Sequence, residues 1–62
     1  MDAGQAVMVE VYGGRIVRRI AAKIIENKVV IVSEKEWLSS LEDERPAMGV
    51  GYDIEKVFPA NA

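Results

Sequence analysis

Hydrophobic and polar positions alternate near the start of the chain. Valines occupy every second position from Val7 to Val11, which is the period-2 pattern of a half-buried strand. Two glycines follow, Gly13 and Gly14, and such a pair is typical of two-residue hairpin turns because both residues adopt a positive φ readily. The pattern predicts an antiparallel hairpin in which Tyr12 and Arg15 flank the turn.

This turn determines the predicted register of the hairpin. A two-residue turn places Val11 opposite Ile16. The same register places Val7 opposite Ile20, so one face of the sheet collects valines and isoleucines. Arg18 falls among them, and we expect it at a bulge or at the edge of the core, with its charge reaching water.

The segment from Arg15 to Glu26 fits two structures. On a helical wheel of about 100° per residue its isoleucines fill one half and its cations the other, which would give a βαβα fold with a basic amphipathic helix over 15–26. β-branched residues dominate the segment, however, and the glycine pair precedes it, so we favour a strand. A second two-residue turn, at Glu26-Asn27 or Asn27-Lys28, then returns the chain as a third strand.

A helix is predicted after the third strand. Ser33 is followed three residues later by Glu36, the spacing of a capping box in which serine and glutamate bond to free N–H groups of the first helical turn. Pro46 limits the continuation of the helix. Three apolar residues share one side of it and are expected to cover the sheet: Trp37, Leu38 and Leu41.

These elements predict one small α+β domain over residues 1–62, ordered over about 6–58. Its architecture is expected to be a three-stranded antiparallel β-meander packed by one α-helix. Beyond Pro46, Gly49 and Gly51 indicate a turn, and residues 53–58 indicate one short helical turn before Pro59. The C-terminal tail is therefore expected to be irregular.

The length of the chain favours self-association. A chain of 62 residues buries only about 60% of the surface that its unfolded form exposes. Half of its residues are hydrophobic and it contains no cysteine that could form a stabilising disulfide. We therefore expect a homodimer, formed through the outer sheet face or through the edge strands Val7–Val11 and Val29–Val32.

The composition argues against catalysis. Without histidine or cysteine, the chain cannot form a Ser-His-Asp triad, a thiolate nucleophile or a nitrogen- or sulfur-ligated zinc site. The acidic run Glu42–Glu44 points in directions about 100° apart on a helix, so its carboxylates cannot converge on a metal ion. The loop at Gly49 and Gly51 lacks the third glycine of a dinucleotide-binding fingerprint, because Ile54 stands there. We expect no catalytic, cofactor-binding or metal-binding residues.

Charge is distributed unevenly along the chain. The formal net charge is −2, yet five basic residues against Glu26 alone give residues 14–28 a charge of +4, and residues 29–45 carry −3. The densest cations are Arg15, Arg18, Arg19 and Lys23. They suggest a nucleic-acid-binding accessory domain as an alternative function, although the pI of about 5.0 and the lack of aromatic residues among these cations disfavour it.

The sequence predicts a small non-enzymatic protein-interaction or regulatory module, whose partner is a second copy or another protein. An apolar cluster beside cations on the outer sheet face is the expected contact surface, with an aromatic residue of the glycine loop. The candidate interaction residues are Arg15, Arg19, Lys23, Ala21, Ile25, Val30, Val32 and Tyr52. No N-terminal signal pattern or long apolar segment is visible, so we expect a cytoplasmic protein without a membrane partner.

Overall fold

The computed structural model describes residues 1–60 and gives an α+β fold. Its elements are β1 (Ala6–Val11), β2 (Arg15–Ile25), β3 (Lys28–Val32), α1 (Glu34–Glu42), β4 (Val50–Asp53), a 3₁₀ turn (Ile54–Lys56) and β5 (Val57–Pro59). The middle segment is a strand, which rules out the basic amphipathic helix. The predicted number of strands was wrong, since the sheet has five strands and not three.

The sheet is antiparallel throughout and has the strand order β4-β3-β2-β1-β5. β4 and β5 therefore lie at opposite edges, although only the three-residue turn Ile54–Lys56 separates them in sequence. A 3₁₀ turn rises about 2 Å per residue. The sheet must consequently curl until its two edges approach each other, and its concave side, called the inner face below, encloses the core.

The core consists of small β-branched side chains contributed by several strands. Its buried members are Val7, Val9, Ala21, Val29, Ile31 and Val57, with Val11, Val17, Ile24 and Tyr52 packed against them. Burying one valine or isoleucine side chain contributes about 1.5–3 kcal/mol. Every strand supplies at least one of these residues, so the stability of the domain depends on the complete sheet.

The segment after Pro46 is not an irregular tail. It forms β4, whose Tyr52 pairs with Val29, and β5, whose Val57 pairs with Val9. Residues Val7–Val11 and Val29–Val32 were predicted to be free edges, but each is paired on both sides. The C-terminal strands occupy the positions at which a second copy was expected to bind, and they satisfy the N–H and C=O groups there.

The first hairpin has a three-residue loop, Tyr12–Gly14, and not a two-residue turn. Gly14 donates its N–H to the carbonyl of Val11 at 3.0 Å, and Val11 lies opposite Arg15. This shifts the predicted pairing by one residue, which moves the side chains of one strand to the opposite face. Val9 now faces Val17 rather than Arg18, whereas Arg15 and Arg19 lie opposite Val11 and Val7 and remain exposed to solvent.

A bulge in β2 changes which side chains face the core further along the strand. The register between β2 and β3 shifts between Ala21 and Lys23, so both Ala21 and Ile24 lie on the inner face. Lys23 pairs with Val30 on the opposite face. The second hairpin turn occurs at Glu26-Asn27, one of the two predicted positions, and Glu26 adopts a φ of 53° there.

The helix begins where it was predicted to begin. Ser33 is the N-cap, and its Oγ accepts a hydrogen bond from the N–H of Glu36 at 3.1 Å. After Glu42 the helix ends in a Schellman-type turn: Arg45 donates its N–H to the carbonyl of Ser40 at 3.0 Å, and Glu44 has a φ of 52°. These bonds satisfy groups that a helix end leaves free.

Candidate interaction surface on the helix

The helix α1 presents an apolar surface to solvent. Ser40 is its one buried residue at 3% exposure, whereas Leu38 and Leu41 are each 57% exposed. At 100° per residue, Leu38 points about 160° away from Ser40. Trp37 is half-buried. The prediction that Trp37, Leu38 and Leu41 all cover the sheet was therefore wrong for both leucines.

Local contacts explain why a serine faces the protein. The Oγ of Ser40 donates a hydrogen bond to the carbonyl of Trp37 at 2.7 Å, so the buried hydroxyl is satisfied. The Trp37 ring lies against Gly4, where a Cβ would be only 3.0 Å from Cζ2. The small serine and the ring against a glycine allow α1 to pack closely on β2.

An ion pair holds the segment after α1 in place. The Glu36 carboxylate accepts hydrogen bonds from Arg45 Nη1 at 2.7 Å and from the N–H of Met48 at 3.0 Å. It does not complete the predicted capping box with Ser33, because these two donors use its oxygens instead. Chiefly the Arg45 hydrogen bond, and then the Met48 N–H, lower the pKa of Glu36 from 4.5 to about 2. The contacts fix the helix relative to the following loop.

Acid should weaken the fold through Glu36. Its pKa is lower in the folded chain than in the unfolded chain, so the folded state binds fewer protons and stability rises with pH between about 2 and 4.5. We expect the contribution of Glu36 to be present above pH 4.5 and lost as the pH falls towards 2. Urea denaturation across this range should show a shallower acid loss for Glu36→Gln than for the wild type.

Some acid sensitivity will remain in both proteins, because a hydrogen bond from Lys28 also lowers the pKa of Asp53. The relevant quantity is the difference between the two pH profiles. Parallel profiles would show that the Glu36–Arg45 pair does not form in solution.

The predicted apolar cluster is divided between the two faces of the sheet. Ala21 is fully buried in the core on the inner face. Lys23, Ile25 and Val30 share the opposite face, where Ile25 is 47% exposed and Val30 is half-buried. Val32 lies on this face as well but is only 4% exposed, beneath the segment at Gly49.

Tyr52 does not project from a loop as expected. It lies in β4, pairs with Val29, and packs against the core. The aromatic residue that does project is Tyr12, which is fully exposed at the tip of the first hairpin. The sequence signal for Tyr12 was its position beside the glycine pair, where no partner strand can cover it.

The register also separates the basic residues of β2. Arg15 and Arg19 pair with valines of β1 and share their side of the sheet, whereas Arg18 pairs with Met8 on the opposite side. Lys23 follows the bulge and lies on the same side as Arg18. All four side chains are exposed, but no single face collects them.

The domain exposes somewhat more surface than an average folded monomer of its mass. Its accessible area is 4488 Å², against about 4,000 Å² for a folded monomer of 6.8 kDa. Exposed large apolar residues among the described ones are Met1, Tyr12, Ile16, Ile25, Leu38, Leu41, Met48, Val50, Ile54 and Phe58. Leu38 and Leu41 are separated by one helical turn, so they form a contiguous surface on a rigid element.

The described part of the chain offers little for small-molecule chemistry. Within residues 1–60 no group of three or more acidic residues is placed to hold a metal ion. The concave regions beside Asp2–Ala6 and beside Asn27 and Asp53 are open to solvent. None of the helical structure in residues 1–60 is long and apolar enough to cross a membrane.

Comparison with known proteins does not assign this chain to a family. It matches no protein-family model, no curated protein and no solved structure. Its function must be inferred from its own surface.

Proposed function

We propose that the protein is a small non-enzymatic protein-interaction module that works by self-association through the solvent-facing side of α1. This surface, called the α1 surface below, consists of Leu38 and Leu41 with the exposed charged residues Glu34, Lys35 and Glu42 around them. An apolar centre with a polar rim is the usual organisation of a protein–protein interface.

The observation that carries the proposal is the orientation of the helix. An amphipathic helix typically turns its apolar stripe inward, but α1 packs only Trp37 and Ser40 against the protein and exposes Leu38 and Leu41. Burying one leucine side chain contributes about 1.5–3 kcal/mol before the cost of ordering. A second copy brings two further leucines to the contact, so association stabilises a surface that the monomer leaves in water.

The nucleic-acid alternative has less support. A phosphate backbone is bound by cations that lie along one groove or face. Arg18 and Lys23 lie on the opposite side of the sheet from Arg15 and Arg19, and the domain is acidic overall. The cations therefore do not form the continuous basic surface that this function needs.

Replacing Leu38 with glutamine should disrupt self-association while leaving the fold intact. Sedimentation equilibrium of the wild type from micromolar to millimolar concentrations is expected to show a monomer–dimer equilibrium. The Leu38→Gln variant should raise the dissociation constant at least tenfold, on the order of 1.4 kcal/mol. Its monomer should keep the wild-type denaturation midpoint, because the side chain is exposed in the monomer.

The matched control is Ile25→Gln, which removes an exposed apolar side chain from the sheet. It should leave the dissociation constant unchanged. A weaker dimer from Ile25→Gln but not from Leu38→Gln would place the interface on the sheet surface of Ile25 and Val30. A wild type that stays monomeric at 1 mM would refute self-association altogether.

A further inference from the structure

We propose that the second copy binds the α1 surface antiparallel, with the two-fold axis at Leu38, so that Lys35 of each copy faces Glu42 of the other. This arrangement rests on the proposed function, and it adds the orientation of the partner and the residues that specify it. Its support is the spacing of charged and apolar residues along the exposed side of one helix.

Lys35, Leu38 and Glu42 form one stripe along α1. Each is exposed, and at 100° per residue the three directions fall within about 60° of one another. Leu38 lies between the two charges: at 1.5 Å per residue, Lys35 is about 4.5 Å towards the N-terminus and Glu42 about 6 Å towards the C-terminus. The stripe thus has a cation at one end, an apolar centre and an anion at the other end.

A two-fold contact between two such stripes brings opposite charges together. An axis perpendicular to two packed helices reverses their direction but keeps residues of the same flank on the same side. With Leu38 against Leu38 at the centre, Lys35 comes opposite Glu42 of the second copy, and the pair occurs twice. The difference of about 1.5 Å between the two spacings is within the reach of a flexible lysine side chain.

A parallel contact would be unfavourable for the same residues. It would place Lys35 at the level of Lys35 and Glu42 at the level of Glu42, so it would form no pair of opposite charges and would bring like charges nearer to each other. The charges therefore select the orientation, whereas Leu38 and Leu41 supply the apolar contact. An interface between two such short helices is smaller than a standard one, so we expect a reversible dimer with a dissociation constant on the order of 10 μM.

Charge reversal tests the orientation directly. Lys35→Glu and Glu42→Lys each replace both attractive pairs by repulsive ones, and each should weaken the dimer roughly five- to tenfold at low salt. The double variant restores opposite charges and should return to within about twofold of the wild type. Both changes suit the helix dipole, since they add an acid near its N-terminus and a base near its C-terminus. A weaker dimer cannot then be attributed to a weaker helix.

Sedimentation equilibrium of the four proteins at about 50 mM and about 500 mM salt measures these effects, which should shrink at the higher salt concentration. Unchanged single variants, in a protein whose dimer is still broken by Leu38→Gln, would overturn the antiparallel pairing and leave the proposed function standing. Weakened single variants without recovery in the double variant would also overturn it. A wild type that remains monomeric would refute both the proposed self-association and the antiparallel arrangement.

Discussion

Gly49→Ala is expected to destabilise the protein by about 3 kcal/mol or more. A Cβ built at Gly49 would lie 2.1 Å from the carbonyl oxygen of Ile31 and 2.5 Å from Cγ1 of Val32. The first contact is with backbone, and Ile31 is held in the ladder by its pairing with Val50. The clash therefore cannot be relieved by a change of rotamer and must separate the segment after α1 from β3.

The control for this variant is Gly51→Ala, two residues away. A Cβ at Gly51 has no neighbour within 4 Å, and alanine is slightly better than glycine in a strand. Urea denaturation should show an unchanged or slightly higher midpoint for Gly51→Ala and a large loss for Gly49→Ala. Equal midpoints in the two variants would contradict the close packing of Gly49 on β3.

Val57→Asp is expected to unfold the domain or leave only a small folded fraction. Val57 is 5% exposed, belongs to the core and pairs with Val9. A carboxylate at this position would be buried without a partner, which costs several kcal/mol. A domain of 62 residues has a total stability of about 3–9 kcal/mol, so one such change removes most of it.

Phe58→Asp provides the matched control for β5. Phe58 is the next residue in the same strand but is 50% exposed, and it pairs with Met8 on the face opposite the core. Its replacement should change stability by less than about 1 kcal/mol. Circular dichroism and urea denaturation distinguish the two outcomes. Equal tolerance of both substitutions would mean that the C-terminal segment is not part of the sheet.

The elements with strong local signals were predicted correctly. The run of β-branched residues identified β2 as a strand, and Ser33 with Glu36 three residues later identified the start of α1. The C-terminal strands were missed because β4 and β5 contain four and three residues. An alternating pattern cannot be recognised over such lengths, and glycine and proline in the segment favour a loop on local grounds.

The register of the first hairpin required information that a glycine pair does not contain. Gly13 and Gly14 are compatible with a loop of two or three residues, and these loops give opposite side-chain orientations in the second strand. The positions of the arginines do not distinguish the two loops. The observed three-residue loop pairs Val9 with Val17 but sets Arg15 and Arg19 opposite Val11 and Val7, whereas the two-residue alternative set only Arg18 opposite Val9.

The proposed interaction surface lies on α1, whereas the sequence analysis placed its candidate interaction residues on the sheet and in the glycine loop. The apolar residues of α1 were recognised, but the wheel does not show which side of a helix faces the protein. The apolar residues Trp37, Leu38 and Leu41 are centred near the direction of Leu41. That direction is about 100° from Ser40, which is the buried residue. The helix turns Trp37 towards Gly4, a residue far from it in sequence, and such a contact cannot be recognised before the fold is known.

A spin label beside the α1 surface can locate the contact between two copies. The chain contains no cysteine, so Glu34→Cys provides a single site for a nitroxide label beside the α1 surface. The spin-labelled variant is prepared without ¹⁵N and mixed with ¹⁵N-labelled wild type. Because only the wild-type chain gives NMR signals, any broadening reports a contact between two chains. If two copies meet through the α1 surface, the strongest broadening falls in residues 34–45. Strongest broadening in β4 or β5, or none at concentrations where dimers form by sedimentation, would contradict this interface.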